Sequence, residues 1–262
     1  MAYLEMHYFS KALQVYVTLN VILPEIHKKK EGVGRPNGSY KTLYLLHGLS
    51  GDHTVWMRRT SIERYAEDYG IAVVMPEVGR SWYADTAYGL PYFTFITQEL
   101  PAVCRGYFKE MSPKREDNFI AGLSMGGYGA MKAALTYPEN YGGCASLSGA
   151  LDITRIGRPY RLEEWQGNFD FALKSAEELE GSDLDIYSLI RRNCQEGKPF
   201  PKMFLWCGTE DTLLPPNRRC HTLLDELNIP HFYEESEGDH TWQWWDLHIQ
   251  DVLRYLFGEE EP

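Results

Sequence analysis

The sequence predicts an α/β protein in which helices cover both faces of a mostly parallel central sheet. Three observations support this class: apolar runs alternate with helical patterns, the runs have the length of strands, and turn-forming residues bound them. Continuous apolar runs are typical of strands buried on both faces, and strand–helix alternation indicates βαβ units. The chain has 262 residues, of which 44% are hydrophobic and 24% charged. We therefore expect residues 1–262 to form a single domain.

The individual elements are predicted in chain order. The alternating residues 11–23 predict one strand of an opening antiparallel hairpin, and the Gly- and Pro-containing residues 28–39 predict a loop. Apolar runs then predict buried strands at 41–48 and 71–78, and further strands are predicted at 117–123, 143–151, 202–209 and 231–238. Helical patterns, two of them ended by Gly70 and Pro138, predict helices at 60–70, 93–108 and 125–138 and a last helix at 242–258.

Residues 152–200 interrupt this alternation, because they contain helical pieces but no apolar run of strand length. We interpret them as a cap-like insertion over the end of the sheet, where a pocket wall would lie. No individual residue of this segment can be given a role from the pattern. The rest of the chain contains no internal repeat or domain linker.

Charge and composition exclude several function classes. The formal net charge of -11 and the absence of a basic face argue against a nucleic-acid partner. No 18 consecutive apolar residues occur, so no membrane span is expected. The five cysteines lack metal-ligand spacing and the N-terminus lacks a signal-peptide pattern, so we expect no metal, no cofactor and a cytoplasmic location.

Residues 121–130, AGLSMGGYGA, place Ser124 between glycines, after a predicted strand and at the start of a predicted helix. A G-x-S-x-G pattern alone is a common glycine-rich turn, but this strand–turn–helix context indicates a nucleophile elbow. Glycines at 122 and 126 avoid collisions in so tight a turn, and the helix N-terminus favours negative charge near the hydroxyl. Ser124 is therefore the candidate nucleophile.

A serine nucleophile needs a base, and the base needs a carboxylate that orients it. The expected order along the chain is the serine, then the carboxylate, then the histidine. Asp211 follows a buried strand, with Glu210 as the competing carboxylate, and His240 follows the next strand. Both lie beyond strand ends that point to the same sheet edge as Ser124. Of the eight histidines, only His240 combines this order with a loop position beside glycine.

Two backbone amides should form an oxyanion hole beside the nucleophile. Met125 follows Ser124 directly, and Leu49 lies in the loop after the strand that ends at His47 and Gly48. We expect His47 to hold this turn by hydrogen bonding. The role of His53 stays open, because it could reach the rim of a pocket.

Four separated segments, LHGLSGDHTVW, AGLSMGGYGAMKAAL, GTEDTLLPPN and GDHTWQWW, resemble the esterase D-like family of the α/β-hydrolase fold. That family includes tributyrin esterases, S-formylglutathione hydrolases, and feruloyl and acetyl-xylan esterases. The resemblance implies Ser124 as nucleophile, His240 as base and acid, Asp211 as orienting acid, and Leu49 and Met125 as oxyanion donors. These are the positions chosen above from the residues alone. It also implies a small-molecule ester as substrate and a homo-oligomer.

Within the family the sequence is most similar to the tributyrin esterase type, which implies a serine carboxylesterase acting on short-chain acyl esters. The resemblance suggests that Trp82 and Tyr83 wall the substrate pocket. S-formylglutathione hydrolases usually carry a cysteine where this chain has Ser50-Gly51, which favours the ester over the thioester. Feruloyl or acetyl-xylan esterase, S-formylglutathione hydrolase and a catalytically silent binding protein remain the alternatives. The aromatic residues Trp242, Trp244 and Trp245 are expected to pack rather than to stack on substrate.

Overall fold

A computed structural model describes residues 1–25, 39–85, 89–156 and 179–258. They form one eight-stranded sheet with the strand order β1-β2-β4-β3-β5-β6-β7-β8. The strands are β1 Ala2–Ser10, β2 Val15–Leu23, β3 Thr42–Leu46, β4 Ala72–Pro76, β5 Asn118–Leu123, β6 Gly143–Leu147, β7 Lys202–Gly208 and β8 Phe232–Ser236. The first two strands are antiparallel to their neighbours and the remaining six run parallel. The predicted mostly parallel sheet is thus confirmed.

The predicted opening antiparallel hairpin is present, and its partner strand β1, which the pattern did not locate, is Ala2–Ser10. β1 pairs with β2 along its whole length, from Ala2 opposite Leu23 to Ser10 opposite Val15. β1 is the edge strand, and its apolar residues Tyr3 and Phe9 are exposed. The apolar residues of β1 therefore do not all lie on one buried face. An edge strand with polar and apolar residues on both faces gives little signal in sequence.

Helices fill the connections between strands. They are α1 Val55–Arg59, α2 Ile62–Tyr69, α3 Tyr92–Thr94, α4 Leu100–Tyr107, α5 Met125–Thr136, α6 Ile153–Ile156, α7 Ile186–Gln195, α8 Leu214–Glu226 and α9 Trp242–Phe257. The predicted helix 93–108 is interrupted by a π-helical turn, Phe95–Glu99, between α3 and α4. Among the described residues, no helix combines the length and the apolarity needed to cross a bilayer.

The sheet separates two hydrophobic cores. Alternate residues of β3 face opposite sides, so that Tyr44 packs with α4, α5 and α7 and Leu45 packs with α1, α2 and α9. This three-layer arrangement buries β3, β4, β5 and β6 completely. All six parallel strands end at the same edge, and the loops that follow them meet there.

Part of the segment interpreted as a cap belongs to the helix layer. α7 packs against α5, and the Asn193 side chain donates a hydrogen bond of 2.6 Å to the Leu135 carbonyl. Ile186 and Ile190 are fully buried in this contact. The middle of the segment, residues 157–178, lies outside the described residues. The cap-like interpretation of that part therefore stays a prediction.

Candidate active site

Ser124 occupies the sharp turn between β5 and α5. Its backbone has φ 53° and ψ -117°, a strained conformation for a residue with a side chain. The Ser124 amide donates to the Leu147 carbonyl, and the Ser124 carbonyl accepts from Tyr128 and Ala150. These backbone hydrogen bonds tie the turn to α5 and to the end of β6, so the strained conformation is held from both sides.

The neighbouring glycines leave room for this turn. A Cβ on Gly122 would lie 2.5 Å from the Gly126 backbone, and one on Gly126 would collide with the carbonyl oxygens of Leu46 and His47. The start of α5 therefore packs directly on the end of β3 and the loop after it. The sequence pattern predicted this contact, because bulkier residues would force helix and strand apart.

Ser124, His240 and Asp211 meet at the carboxyl edge of the sheet. His240 Nε2 lies 3.0 Å from Ser124 Oγ, and His240 Nδ1 lies 2.8 Å from Asp211 Oδ2. Because a carboxylate only accepts, the proton on His240 belongs on Nδ1, which leaves Nε2 free to accept from the serine hydroxyl. The His240 side chain is 35% exposed, whereas that of Asp211 is fully buried. The imidazole is thus open to a ligand on one side and fixed on the other.

Asp211 is held as a carboxylate by its hydrogen bonds. Burial opposes its ionisation, but hydrogen bonds from His240, the Leu213 amide and Ser148 keep its pKa below the ordinary value. The competing Glu210 instead accepts from the Gly238 amide at 2.8 Å and does not contact His240. The structure therefore pairs His240 with Asp211, as the loop position predicted.

Ser148 and Trp245 support this pair and were not identified from the sequence. Ser148 follows β6, is fully buried and has φ 49°. Its hydroxyl is one of the groups that lower the pKa of Asp211, and it accepts a 3.1 Å hydrogen bond from Trp245 Nε1. The Trp245 ring also meets the His240 ring edge-on, with 4.9 Å between centroids. The buried Trp245 thus contacts both the His240 imidazole and the Ser148 hydroxyl that acts on Asp211. This agrees with the expectation that Trp245 packs within the protein.

The loop after β3 runs alongside Ser124. Gly48 is close to Ser124, because a Cβ on Gly48 would lie 3.6 Å from the Ser124 Cβ. In the described part of the chain, neither the Leu49 amide nor the Met125 amide donates a hydrogen bond to the protein. Both amides are therefore available to an oxygen placed beside Ser124.

His47 holds this loop through both ring nitrogens. Its Nδ1 lies 2.7 Å from the Gly48 carbonyl, and its Nε2 accepts from the Val78 amide at 3.2 Å. An amide donor at Nε2 and a carbonyl acceptor at Nδ1 require the neutral imidazole. Burial lowers the pKa of His47, which agrees with that tautomer. His53 is linked to this network through Glu77, whose Oε2 lies 3.4 Å from His53 Nδ1 and whose Oε1 lies 3.8 Å from His47 Nε2.

Trp82 and Tyr83, predicted to wall the pocket, are both buried below the loop. They have consecutive positive φ values of 54° and 50°. The Tyr83 hydroxyl donates 2.9 Å to the His47 carbonyl, and Lys132 Nζ donates 3.1 Å to the Tyr83 carbonyl. Tyr83 therefore braces the loop that carries Leu49, and its side chain is fully buried. This bracing role had no signal in the sequence.

The chain is similar to known esterases over most of its length. A family model described as a putative esterase matches residues 10–256. An acetyl esterase from Caldicellulosiruptor saccharolyticus is 34% identical over 262 residues, which cover 98% of either chain. The relatives thus extend over the whole described sheet.

Two solved structures from Staphylococcus aureus match this chain over 98% of its length and 98% of theirs. The substrate-bound fluorophosphonate-binding serine hydrolase F is 35% identical, with a TM-score of 0.86. The apoenzyme of the S-formylglutathione hydrolase FrmB is also 35% identical, with a TM-score of 0.83. Both similarities cover the elements that carry Ser124, Asp211 and His240.

Proposed function

The chain belongs to the putative esterase family and is a serine hydrolase of the esterase class, and from this premise we propose that it hydrolyses short-chain acyl esters through an acyl-enzyme. The observation that supports this proposal best is the continuous chain of hydrogen bonds from Ser124 Oγ through His240 to Asp211. Such an array converts a weak hydroxyl nucleophile into a reactive one.

In the proposed reaction Ser124 Oγ attacks the ester carbonyl while His240 Nε2 takes its proton. Asp211 keeps the imidazole in the required tautomer and stabilises the imidazolium that forms. The amides of Leu49 and Met125 would donate to the tetrahedral oxyanion. His240 then protonates the departing alcohol oxygen, and a water molecule deprotonated by the same nitrogen releases the acid and regenerates Ser124.

Short acyl groups are favoured by similarity to the acetyl esterase and by the tributyrin-esterase resemblance of the sequence. The similarity to FrmB makes hydrolysis of S-formylglutathione the second candidate. Ser50 and Gly51, where that class usually has a cysteine, favour the oxygen ester. A feruloyl or acetyl-xylan ester is the remaining alternative from the sequence, and the binding-protein alternative would leave Ser124 unreactive.

The decisive experiment compares the wild type with Ser124→Ala on p-nitrophenyl acetate. We expect the variant to fold and to lose activity by roughly 10⁶-fold, because nucleophile and base act as one unit. A fluorophosphonate probe should label the wild type at Ser124 only. Retained turnover in Ser124→Ala would contradict the proposal, and a folded wild type that neither labels nor turns over would favour a binding protein.

A substrate panel separates the ester classes. We expect kcat/KM to be highest for p-nitrophenyl acetate and butyrate, lower for S-formylglutathione, and lowest for methyl ferulate. A preference for S-formylglutathione would instead assign the protein as a thioesterase.

We further propose that residues 1–262 act as one domain and that the protein is cytoplasmic. The five free cysteines support the cytoplasmic location.

A further inference from the structure

A group of metal-ligating side chains lies away from the candidate active site. His221 and Asp225 are one turn apart on α8, and His231 directly precedes β8. One ligand atom from each residue lies within 4.8 Å of one from each of the others. His231 marks the start of β8 and His240 follows its end, so this His–Asp cluster lies at the sheet edge opposite Ser124.

His231 is oriented as a ligand by the backbone. Its Nδ1 lies 2.9 Å from the Ile229 carbonyl, which can only accept, so Nδ1 carries the proton and Nε2 presents its lone pair. Metal-bound histidines are fixed by this kind of outer hydrogen bond. The His231 side chain is only 4% exposed, so its ring is held in place.

The other two side chains face that lone pair from the exposed side. His221 Nδ1 lies 2.8 Å from His231 Nε2, and His221 Nε2 lies 3.4 Å from Asp225 Oδ2. The second Asp225 oxygen lies 3.9 Å from His231 Nε2. The cluster therefore combines two imidazoles and one carboxylate around a point that solvent can reach through the exposed Asp225.

Small movements would open this cluster for an ion. Nitrogen ligands at about 2.0–2.1 Å from tetrahedral zinc are about 3.3 Å apart, so the two imidazoles must separate by about half an ångström. His221 lies flat on the Tyr233 ring, with centroids 4.2 Å apart and planes at 14°, and can slide within that stack. The partly exposed His221 can therefore make this adjustment while His231 stays fixed.

We propose that His221, Asp225 and His231 bind one divalent cation of the zinc type, with water completing its coordination. Two imidazoles and a carboxylate suit Zn²⁺ better than Mg²⁺ or Ca²⁺, which prefer oxygen ligands. The ion would join α8 to the start of β8 across the turn at residues 227–230. Because the site lies at the far edge of the sheet, its role is to stabilise the fold, whatever reaction the protein catalyses.

The test is calorimetric titration of EDTA-treated, dialysed protein with zinc chloride at neutral pH. We expect the wild type to bind about one ion per chain, and His221→Gln and Asp225→Asn to weaken binding by at least about tenfold, since each removes a ligand. Both side chains lie at the surface, so the variants should fold. His7→Gln is the matched control, because His7 is exposed and is bonded to nearby Glu5 and Thr18.

A second readout is the thermal midpoint, which saturating zinc should raise for the wild type and His7→Gln but not for His221→Gln. The cluster of Glu234, His248 and Asp251 offers a competing site, which Asp251→Asn tests. The proposal fails if the wild type shows no saturable binding up to about 100 µM zinc, well above the concentrations of a specific site. It also fails if Asp251→Asn, rather than Asp225→Asn, abolishes binding.

Discussion

Replacing Ser148 tests how the buried Asp211 carboxylate is held. The Ser148 hydroxyl helps to lower the pKa of Asp211 and accepts from Trp245 Nε1 at 3.1 Å, and no part of Ser148 is exposed. A hydrogen bond to a charged group contributes about 1.5–3 kcal/mol. If that interaction keeps Asp211 aligned with His240 in the transition state, its loss lowers kcat by about 10- to 150-fold.

We expect Ser148→Ala to lower kcat for p-nitrophenyl acetate within this range and to leave KM nearly unchanged. KM should hold because the buried Ser148 side chain cannot touch substrate. The variant also leaves Trp245 Nε1 without its acceptor, which destabilises the fold by about 1–3 kcal/mol. Thermal unfolding, measured on the same samples, separates this loss of stability from the loss of turnover.

Two matched variants isolate the hydroxyl. Ser148 has φ 49°, a conformation that glycine adopts without strain, so Ser148→Gly removes the hydroxyl with no steric penalty. Trp245→Phe keeps an aromatic ring against His240 and the hydroxyl on Asp211, and should retain most of the activity. Folded Ser148→Ala and Ser148→Gly proteins with wild-type kcat would refute the alignment argument. A rise in KM alone would place Ser148 in substrate binding instead.

Three further predictions follow from the same network. Asp211→Asn should lower kcat by about 10⁴-fold with the fold intact, because the imidazole loses its tautomer; steady-state kinetics and circular dichroism check this. Tyr83→Phe removes the hydrogen bond to the His47 carbonyl and should reduce kcat by about fivefold while preserving KM, since such a bond contributes about 1 kcal/mol; an unaltered kcat would contradict the bracing role. Burial lowers the pKa of Lys132 to about 7. Between pH 7 and 10 the unfolded chain therefore binds a proton at this residue that the folded chain lacks. The contribution of Lys132 to the free energy of unfolding thus rises with pH. The free energy of unfolding of Lys132→Met should therefore exceed that of the wild type most near pH 7. In denaturant titrations this difference should narrow towards pH 10, and a difference that stays constant with pH would contradict the shifted pKa.

The fold and the meeting of Ser124, Asp211 and His240 were predictable because they leave local signals. The central parallel strands β3 and β4 are continuous apolar runs, and the elbow needs glycines at fixed offsets from Ser124. Asp211 and His240 were found from chain order and from their position after strands, which parallel topology brings to one edge. Each of these signals depends on a few adjacent residues, so a single sequence suffices to detect it.

The supporting residues were not predictable because their partners are distant in the chain. Ser148 accepts from Trp245 and acts on the pKa of Asp211, and Tyr83 donates to the His47 carbonyl. No spacing rule links a serine after β6 with a tryptophan in the last helix. The edge strand β1 was missed for a related reason, since its pairing with β2 shows only in the register.

Backbone strain marks the same functional edge independently of the side-chain hydrogen bonds. In the described residues, positive φ occurs at six non-glycine positions, of which Gln14 and Asn228 lie in ordinary turns. The other four are Ser124, Ser148, Trp82 and Tyr83. Strained residues persist only where surrounding contacts over-determine them, and they gather at functional sites. Ser124, the Ser148 support of Asp211 and the Tyr83 brace of the loop that carries Leu49 are therefore built as one preorganised unit.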